Sequence, residues 1–331
     1  MKTQHANISV FVPHIGCPNM CSFCNQRHIT GFHRAIGPND IVDAVNAAKN
    51  GKKYCGKTTE IAFFGGSFTA INRNYMLALL ETAAQFVKDG TVSGIRISTR
   101  PDAISKEILE LLKRYGVTAI ELGAQSLNDR VLKSNNRGHT ASQVVSSSNL
   151  IKSHGFSLGL QMMTGLFRDT DALAIKTAKQ IIDLKPDTVR IYPTIVLKDT
   201  DLAALYNDGV YKPQNLEDAV SLCAKLYEMF EENDISVIRL GLHSIEQDSY
   251  IAGPWHPAFS ELCQAHIFYQ KIKNSLTETG DYIIYVSPNS LSKAIGQKKS
   301  NIIKLKNDGY NCVIKPNYNL HDFEIKVERG E

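Results

Sequence analysis

The sequence predicts a parallel α/β fold, either a barrel or an open sheet, followed by a small α+β tail. Three observations carry this expectation. Short runs of β-branched and aromatic residues recur along the first 240 positions. Between them lie stretches with apolar residues three and four apart, the period of an amphipathic helix. Each run ends in a polar or glycine-rich segment, as strands do where binding loops gather at one edge of a parallel sheet.

Strands are expected at 8–12 (ISVFV), 61–64 (IAFF), 94–98 (GIRIS), 117–122 (VTAIEL), 156–162 (FSLGLQM), 187–192 (DTVRIY) and 235–240 (ISVIRL). Helices are expected near 40–50, 74–88, 105–114, 141–153, 171–184 and 215–232. "GPND" ahead of position 41 and "ISKE" ahead of 108 supply helix-start signals. Such alternation sets the strands side by side and parallel. The polar ends are the cysteine-rich loop, then "GGSFTA", "TRPD", "GAQS", "MTG", "YPT" and "GLH". After Pro254 the pattern changes. "PAFSELCQAHIFYQKIKNSL" reads as a helix and "DYIIYVSP" as a strand. Two helices follow around a Gly-Gln-Lys-Lys loop, and "YNCVIK" and "HDFEIKV" close as strands. The chain is therefore expected to divide into a core at 1–250 and a tail at 251–331.

The bulk numbers narrow the class. Hydrophobic content of 43% with 21% charged residues over 331 positions suits a globular protein with a sizeable core. No segment approaches the ~20 apolar residues of a membrane span. "MKTQHANISVFV" lacks the pattern of a signal peptide. A cytoplasmic location follows as the expectation, with thiols kept reduced. A net charge of +4 is too small by itself to imply a nucleic-acid partner.

The 7 cysteines are unevenly placed: Cys17, Cys21 and Cys24 fall within "HIGCPNMCSFCNQRHITG". Three thiolates from one short loop suit iron–sulfur or zinc. A structural zinc site needs four ligands. The fourth would come from His14, His28, His33 or a remote cysteine, because no second C-x2-C exists. A four-iron cluster held by three cysteines instead leaves one iron open to a small molecule. Zinc with a histidine, or three buried thiols, is the competing reading. Cys55, Cys223, Cys263 and Cys312 are scattered and are expected to be small core hydrophobes.

The C-x3-C-x2-C spacing, with Phe23 before its last cysteine, resembles the radical S-adenosylmethionine (SAM) superfamily. The resemblance implies a [4Fe–4S] cluster on Cys17, Cys21 and Cys24, with SAM on the open iron. It further implies a 5′-deoxyadenosyl radical made with electrons from a reductant such as flavodoxin or ferredoxin. The resemblance assigns Phe23 of the cysteine motif to the cofactor and, through "FFGGSFTA", which resembles the family's glycine motif, Gly65, Gly66 and Ser67 as well. Ser67 stands where the family often has an acidic residue. "STRPD", "ELGAQS" and "LQMMTG" place Arg100, Asp102, Glu121, Gln125, Gln161 and Met162 near successive strand ends. Such side chains suit ribose hydroxyls and a methionine carboxylate, Arg100 through its bidentate fork. The alternative is that some of them satisfy one another inside the sheet's mouth.

The match extends further. "ISTRPDAI", "ELGAQS", "NRGHT", "LQMMTGL" and "DTVRIYPTIVLKDTDLAALYNDGVYKP" resemble the radical SAM core of the elongator catalytic subunit family, over roughly residues 6–245. That family modifies wobble uridine, so the resemblance implies tRNA or another RNA as partner. It implies a partial parallel (β/α)6 TIM-like barrel as the fold. Two departures are plain: the cysteines are more closely spaced, and no acetyl-CoA-type glycine loop follows the core. The tail order β-α-loop-α-β resembles a minimal KH module, whose GXXG loop clamps a nucleic-acid backbone. Here the loop is Gly296, Gln297, Lys298 and Lys299. Lys299 in place of the second glycine is expected to hold a backbone further off, while Lys298 and Lys299 add charge for phosphates. The plainer reading is a capping domain with lysines on its wet face. His243, Trp255 and His256 are read either as lining a substrate funnel or as satisfied core groups. Besides an RNA-modifying radical enzyme, two functions compete: radical chemistry on a small molecule, as in the oxygen-independent coproporphyrinogen oxidase branch, and an RNA-binding iron–sulfur sensor.

Overall fold

The computed structural model describes residues 5–12, 21–25, 35–52, 54–242, 245 and 247–330. Cys17, His14, His28, His33 and His243 lie outside the described residues.

The chain opens with β1 (Ala6–Val12), α1 (Pro38–Lys49), β2 (Thr59–Gly65), α2 (Arg73–Lys88), β3 (Gly94–Thr99), α3 (Lys106–Arg114) and β4 (Val117–Gln125). Two helices follow, α4 (Asp129–Ser134) and α5 (Ala141–Ser153), then β5 (Ser157–Thr164), α6 (Asp171–Leu184) and β6 (Thr188–Pro193). The short β7 (Val196–Leu197), α7 (Asp201–Asn207), α8 (Leu216–Glu231), β8 (Ser236–Leu240) and β9 (Tyr250–Ala252) complete the first part. Seven strands form one parallel sheet in the order β1-β2-β3-β4-β5-β6-β8. It curls into a partial barrel, and β1 and β8 are its two edges. All seven expected strands and all six expected helices are present. Ser105 caps α3 by accepting the Ile108 N–H, at the "ISKE" signal.

Strand side chains alternate between the two faces of a sheet. Ile61, Phe63, Ile95, Ile97, Ile120, Leu122, Leu158, Leu160, Val189 and Ile191 all take the helix side. There they bury against Leu79, Leu80, Leu109, Leu112, Ile151, Ile181 and Phe230, at roughly 1.5–3 kcal/mol for each large side chain. The other face, toward the lumen, is charged. Glu60 and Arg96 pair at 2.9 Å, Arg96 reaches Glu121 at 3.4 Å, and Arg190 closes a fork on Glu121 at 2.7 and 2.9 Å. Arg190 also stands 5.2 Å from the Phe64 ring centre. Burial opposes the Glu60 charge, but hydrogen bonds from His5 and Thr118 and the Arg96 charge outweigh it and bring its pKa down to about 2.

β7 and β9 pair antiparallel. With α7 they enclose a small apolar cluster of Val196, Leu202, Ala203 and Tyr211, against which Phe23 and Phe167 pack. The tail contains α9 (Phe259–Ser275), β10 (Gly280–Val286), α10 (Leu291–Ile295), α11 (Ser300–Asn307), β11 (Tyr310–Pro316) and β12 (Ile325–Arg329). Its sheet runs β11-β10-β12, parallel between β10 and β11 and antiparallel between β10 and β12. Helix α9 serves two cores: Phe259, Cys263 and Ile267 join the barrel core, and Phe268 and Ile272 join the tail's. Among the described residues no helix is long and apolar enough to cross a membrane.

Candidate active site

The C-terminal edge of the sheet is built from β1 outward. Val12 ends β1 beside Gly65, which ends β2. Gly65 has φ +95°, and a Cβ there would lie 2.4 Å from the Val12 carbonyl oxygen. Only glycine lets the two strand ends approach this closely. Next, Ser67 is fully buried, bonds to the Thr99 hydroxyl at 2.9 Å and accepts the Arg100 N–H at 3.3 Å. Its hydroxyl therefore ties the glycine loop to the "TRPD" loop.

Arg100 donates to both oxygens of Asp102, at 2.9 and 2.8 Å. Burial opposes the Asp102 charge, but the Arg100 hydrogen bonds and charge outweigh it and lower its pKa. Glu121, 1% exposed, sits in the lumen as the shared counter-ion of Arg190 and Arg96 and also accepts from Gln161 at 3.2 Å. Gln125 ends β4 with φ +63°, where the pairing with β5 shifts register, and its buried Oε1 has no protein donor among the described residues. Met162 is fully buried in the helix-side core. Alternation gives the lumen side of β5 to Gln161 and Met163 instead.

Two of the three clustered thiols are described, and both are partly exposed. The Cys24 N–H donates to the Cys21 carbonyl at 3.0 Å, a tight turn. Phe23 between them packs into the apolar cluster with Phe167 and Tyr211. Over this turn stands Arg137, which donates from Nη1 to Cys21 Sγ at 3.1 Å and from Nη2 to the Gly123 carbonyl. Arg137 is 6% exposed, and its Nε has no partner among the described residues. Two positions on, buried His139 contacts the Ala124 carbonyl through Nε2 at 3.3 Å. Burial and the Arg137 charge push His139 down to about 4, so its ring is neutral at physiological pH. Sequence reasoning missed Arg137 and His139 as site residues, although both lie in "NRGHT". No local pattern marked either residue, because the target of Arg137 is 116 residues away in the chain.

The other thiols lie apart. Cys223, Cys263 and Cys312 are buried, and burial pushes each up, Cys223 to about 12 and Cys312 to about 11. They behave as core hydrophobes. Cys55 departs from that expectation: it is only half-buried, in the turn just ahead of β2 at the opposite end of the sheet from the cysteine turn. Trp255 stands 6.1 Å from Tyr250, and His256 Nδ1 accepts the Ala258 N–H at the start of α9. In the tail, Gly296 (φ +79°) would place a Cβ 2.4 Å from Ser300 Oγ. Lys298 and Lys299 are exposed and left-handed, with φ of 51° and 63°.

The donor set suits a sulfide cluster with a polar organic ligand. Thiols are gathered in a turn beside a cation, and Gln125 keeps a buried oxygen with no donor among the described residues.

Comparison with known proteins agrees with this geometry. The profile described as the radical SAM superfamily matches residues 11–181, and that of the radical SAM C-terminal domain matches 186–268. The tRNA uridine(34) acetyltransferase of Methanocaldococcus jannaschii is 32% identical over 129 residues, 38% of this chain and 24% of the relative. Elongator complex protein 3 of Homo sapiens is 36% identical over 138 residues, 40% and 25% of the two chains. The matched stretch is thus about a quarter of those relatives' length. The solved structure of Methanocaldococcus infernus Elp3 superposes with a TM-score of 0.59 at 21% identity, covering 81% of this chain and 63% of that one. Methylornithine synthase superposes at 0.50 with 16% identity, covering 74% and 75%. At these identities the two structures show the shared fold.

Proposed function

Because the chain belongs to the radical SAM superfamily, we propose that it modifies RNA, with tRNA as the substrate, and that Cys17, Cys21 and Cys24 hold its cluster. Enzymes of this family use a [4Fe–4S] cluster and SAM, which when bound supply reductive cleavage of the sulfonium to methionine and a 5′-deoxyadenosyl radical.

The single observation that carries the reading is the Cys21–Cys24 turn, held under Arg137 at the edge where Gly65 and Gln125 end their strands. The chain's own residues then have separable tasks. The thiolates bind iron. Arg137 brings a cation to the cysteine turn for an anionic cofactor group, since Arg100 closes its fork on Asp102. The glycine loop that ends β2 receives the methionine part, and Gln125 Oε1 accepts from a cofactor hydroxyl or amine. Gln161, with Glu121 behind it, lines the lumen beneath.

Two features support RNA. The matched relatives are named for tRNA uridine(34) or as elongator subunits. The tail loop keeps the close backbone turn at Gly296, and Lys299 adopts the left-handed conformation that a second glycine would take. Lys298 and Lys299 then stand free to meet phosphates. Acetyl transfer forms no part of the proposal, because the matched stretch is a quarter of those relatives' length.

The test is anaerobic reconstitution with iron and sulfide, then dithionite and SAM, assayed for 5′-deoxyadenosine with and without bulk tRNA. Formation that rises with tRNA is the expected result. Formation indifferent to every RNA tried would turn the substrate toward a small molecule. A reducible four-iron cluster that yields no 5′-deoxyadenosine would point to a sensor.

A further inference from the structure

Residues 21–25, which carry two of the clustered cysteines, form a turn with no helix or strand of their own, yet Ser22, between those two, is 2% exposed. Buried backbone groups outside helices and strands need partners from elsewhere. For Ser22 they come from two places. Its N–H donates to the Asn135 carbonyl at 3.1 Å, and its carbonyl accepts the Leu202 N–H at 2.7 Å. Its hydroxyl donates to Asn135 Oδ1 at 3.0 Å.

Asn135, the residue that ends α4, is completely buried. Its side chain uses its full capacity of two acceptor and two donor sites. Oδ1 accepts the Ser22 hydroxyl and the Phe167 N–H at 3.3 Å, while Nδ2 donates to the Phe167 carbonyl at 2.9 Å and the Val131 carbonyl at 2.8 Å. Toward Phe167 the amide behaves as a stretch of backbone, pairing with both the N–H and the C=O of a loop residue that has no strand neighbour there. The same side chain grips the cysteine turn. Phe23 and Phe167 then meet in one apolar cluster, so packing reinforces the polar link.

Resting on the reading of Cys21 and Cys24 as cluster ligands, we propose that Asn135 is a positioning residue that fixes the cysteine turn to the loop after β5. Cluster side and lumen side of the edge are then one rigid unit before any cofactor arrives. Neither of its near-isosteres replaces it. Asp keeps the acceptors but turns both donor sites into a buried anion against two carbonyls. Leu keeps the volume and leaves Phe167 N–H, Phe167 C=O and the Ser22 hydroxyl unpaired.

The test is amide hydrogen exchange on the full chain without cluster or SAM, comparing wild type, Asn135→Leu and Ser22→Ala. In Asn135→Leu, the peptides containing Ser22 and Phe167 are expected to exchange at least about tenfold faster together, with β3 and β10 unchanged. In Ser22→Ala, only the peptide with residue 22 is expected to speed up. After reconstitution, Asn135→Leu is further expected to alter the electron paramagnetic resonance spectrum of the reduced cluster at equal iron content. If Asn135→Leu fails to fold, Ser22→Ala alone decides: unchanged exchange at residue 22 overturns the proposal. So does a folded Asn135→Leu whose two peptides exchange as in wild type, or in which only the Phe167 peptide responds. Because the exchange readout needs no cofactor, its failure is distinct from failure to bind a cluster, which would overturn the reading of the cysteines.

Discussion

Replacing Glu121 by Gln is the perturbation that separates support from cofactor binding in the lumen. Glu121 is 1% exposed and accepts from Arg190 at 2.7 and 2.9 Å, Arg96 at 3.4 Å and Gln161 at 3.2 Å. Arg96 retains Glu60 at 2.9 Å when the charge is removed, but Arg190 loses its only acidic partner among the described residues. Leaving one buried charge unpaired costs about 3–5 kcal/mol. Unfolding entropy of ~2.1 cal/mol/K per residue amounts to about 0.7 kcal/mol/K for this chain. The expected fall in melting temperature is therefore about 4–7 °C, read by scanning calorimetry under reducing conditions. The paired change Glu121→Leu with Arg190→Met removes both charges and is expected to regain at least half of the loss. Glu121 lies four residues before Gln125, roughly 13 Å along the strand at ~3.3 Å per residue. The KM for SAM of the folded variant should accordingly stay within about twofold. A melting temperature within a degree of wild type, or a large KM change without a stability change, would refute the reasoning and return Glu121 to the cofactor.

Three further outcomes follow from the same structure. Gly65→Ala is expected to destabilise the fold by at least about 1–2 kcal/mol, because an L residue at φ +95° carries that cost and the Val12 carbonyl must also move; an unchanged denaturation midpoint would contradict it. Acid should destabilise the chain in two windows. His139, held down to about 4 from 6.5, is neutral in the fold and loses its stabilisation as pH falls from about 6.5 to 4. Glu60, lowered from 4.5 to about 2, does so from about 4.5 to 2, each limb worth up to about 3 kcal/mol. His139→Gln should flatten the upper limb of a denaturation-versus-pH series, and an identical profile would sink that account. Lys298→Glu with Lys299→Glu should weaken tRNA binding and reduce the slope of log affinity against log salt by about 1.4, at ~0.7 per phosphate contact; an unchanged slope would leave the loop without a role in RNA contact.

Much of this was legible in the sequence for a physical reason. A strand buried in a parallel sheet must be apolar on its helix side, and a helix packed on it must repeat with the helical period. Runs such as "IAFF" and "GIRIS" therefore announced themselves. The two-residue β7 and three-residue β9 carry no such pattern, and the fold alone defines them. Site residues divided similarly. The cysteine spacing is local and was readable, and Gly65 is confined by a neighbour that the strand order supplies. Depth and parity were not readable. Glu121 and Gln125 share a face of β4 yet lie at different heights, and Met162 falls on the helix side while Met163 does not. Arg137 and Asn135 were the least accessible, since each acts on a segment more than a hundred positions away. Lys299 is a further case. Its side chain was expected to hold a partner further off, but that its backbone would sit in the left-handed region, at φ 63° and ψ 27°, was not readable from the sequence.

The most direct measurement is the electron paramagnetic resonance spectrum of the anaerobically reconstituted, dithionite-reduced protein, recorded before and after addition of SAM. About four irons per chain are expected, with a reduced-cluster signal that shifts when SAM is added and loss of both signal and iron in Cys17→Ala, Cys21→Ala and Cys24→Ala. A cluster whose signal is indifferent to SAM, or one that survives in all three variants, would contradict this expectation.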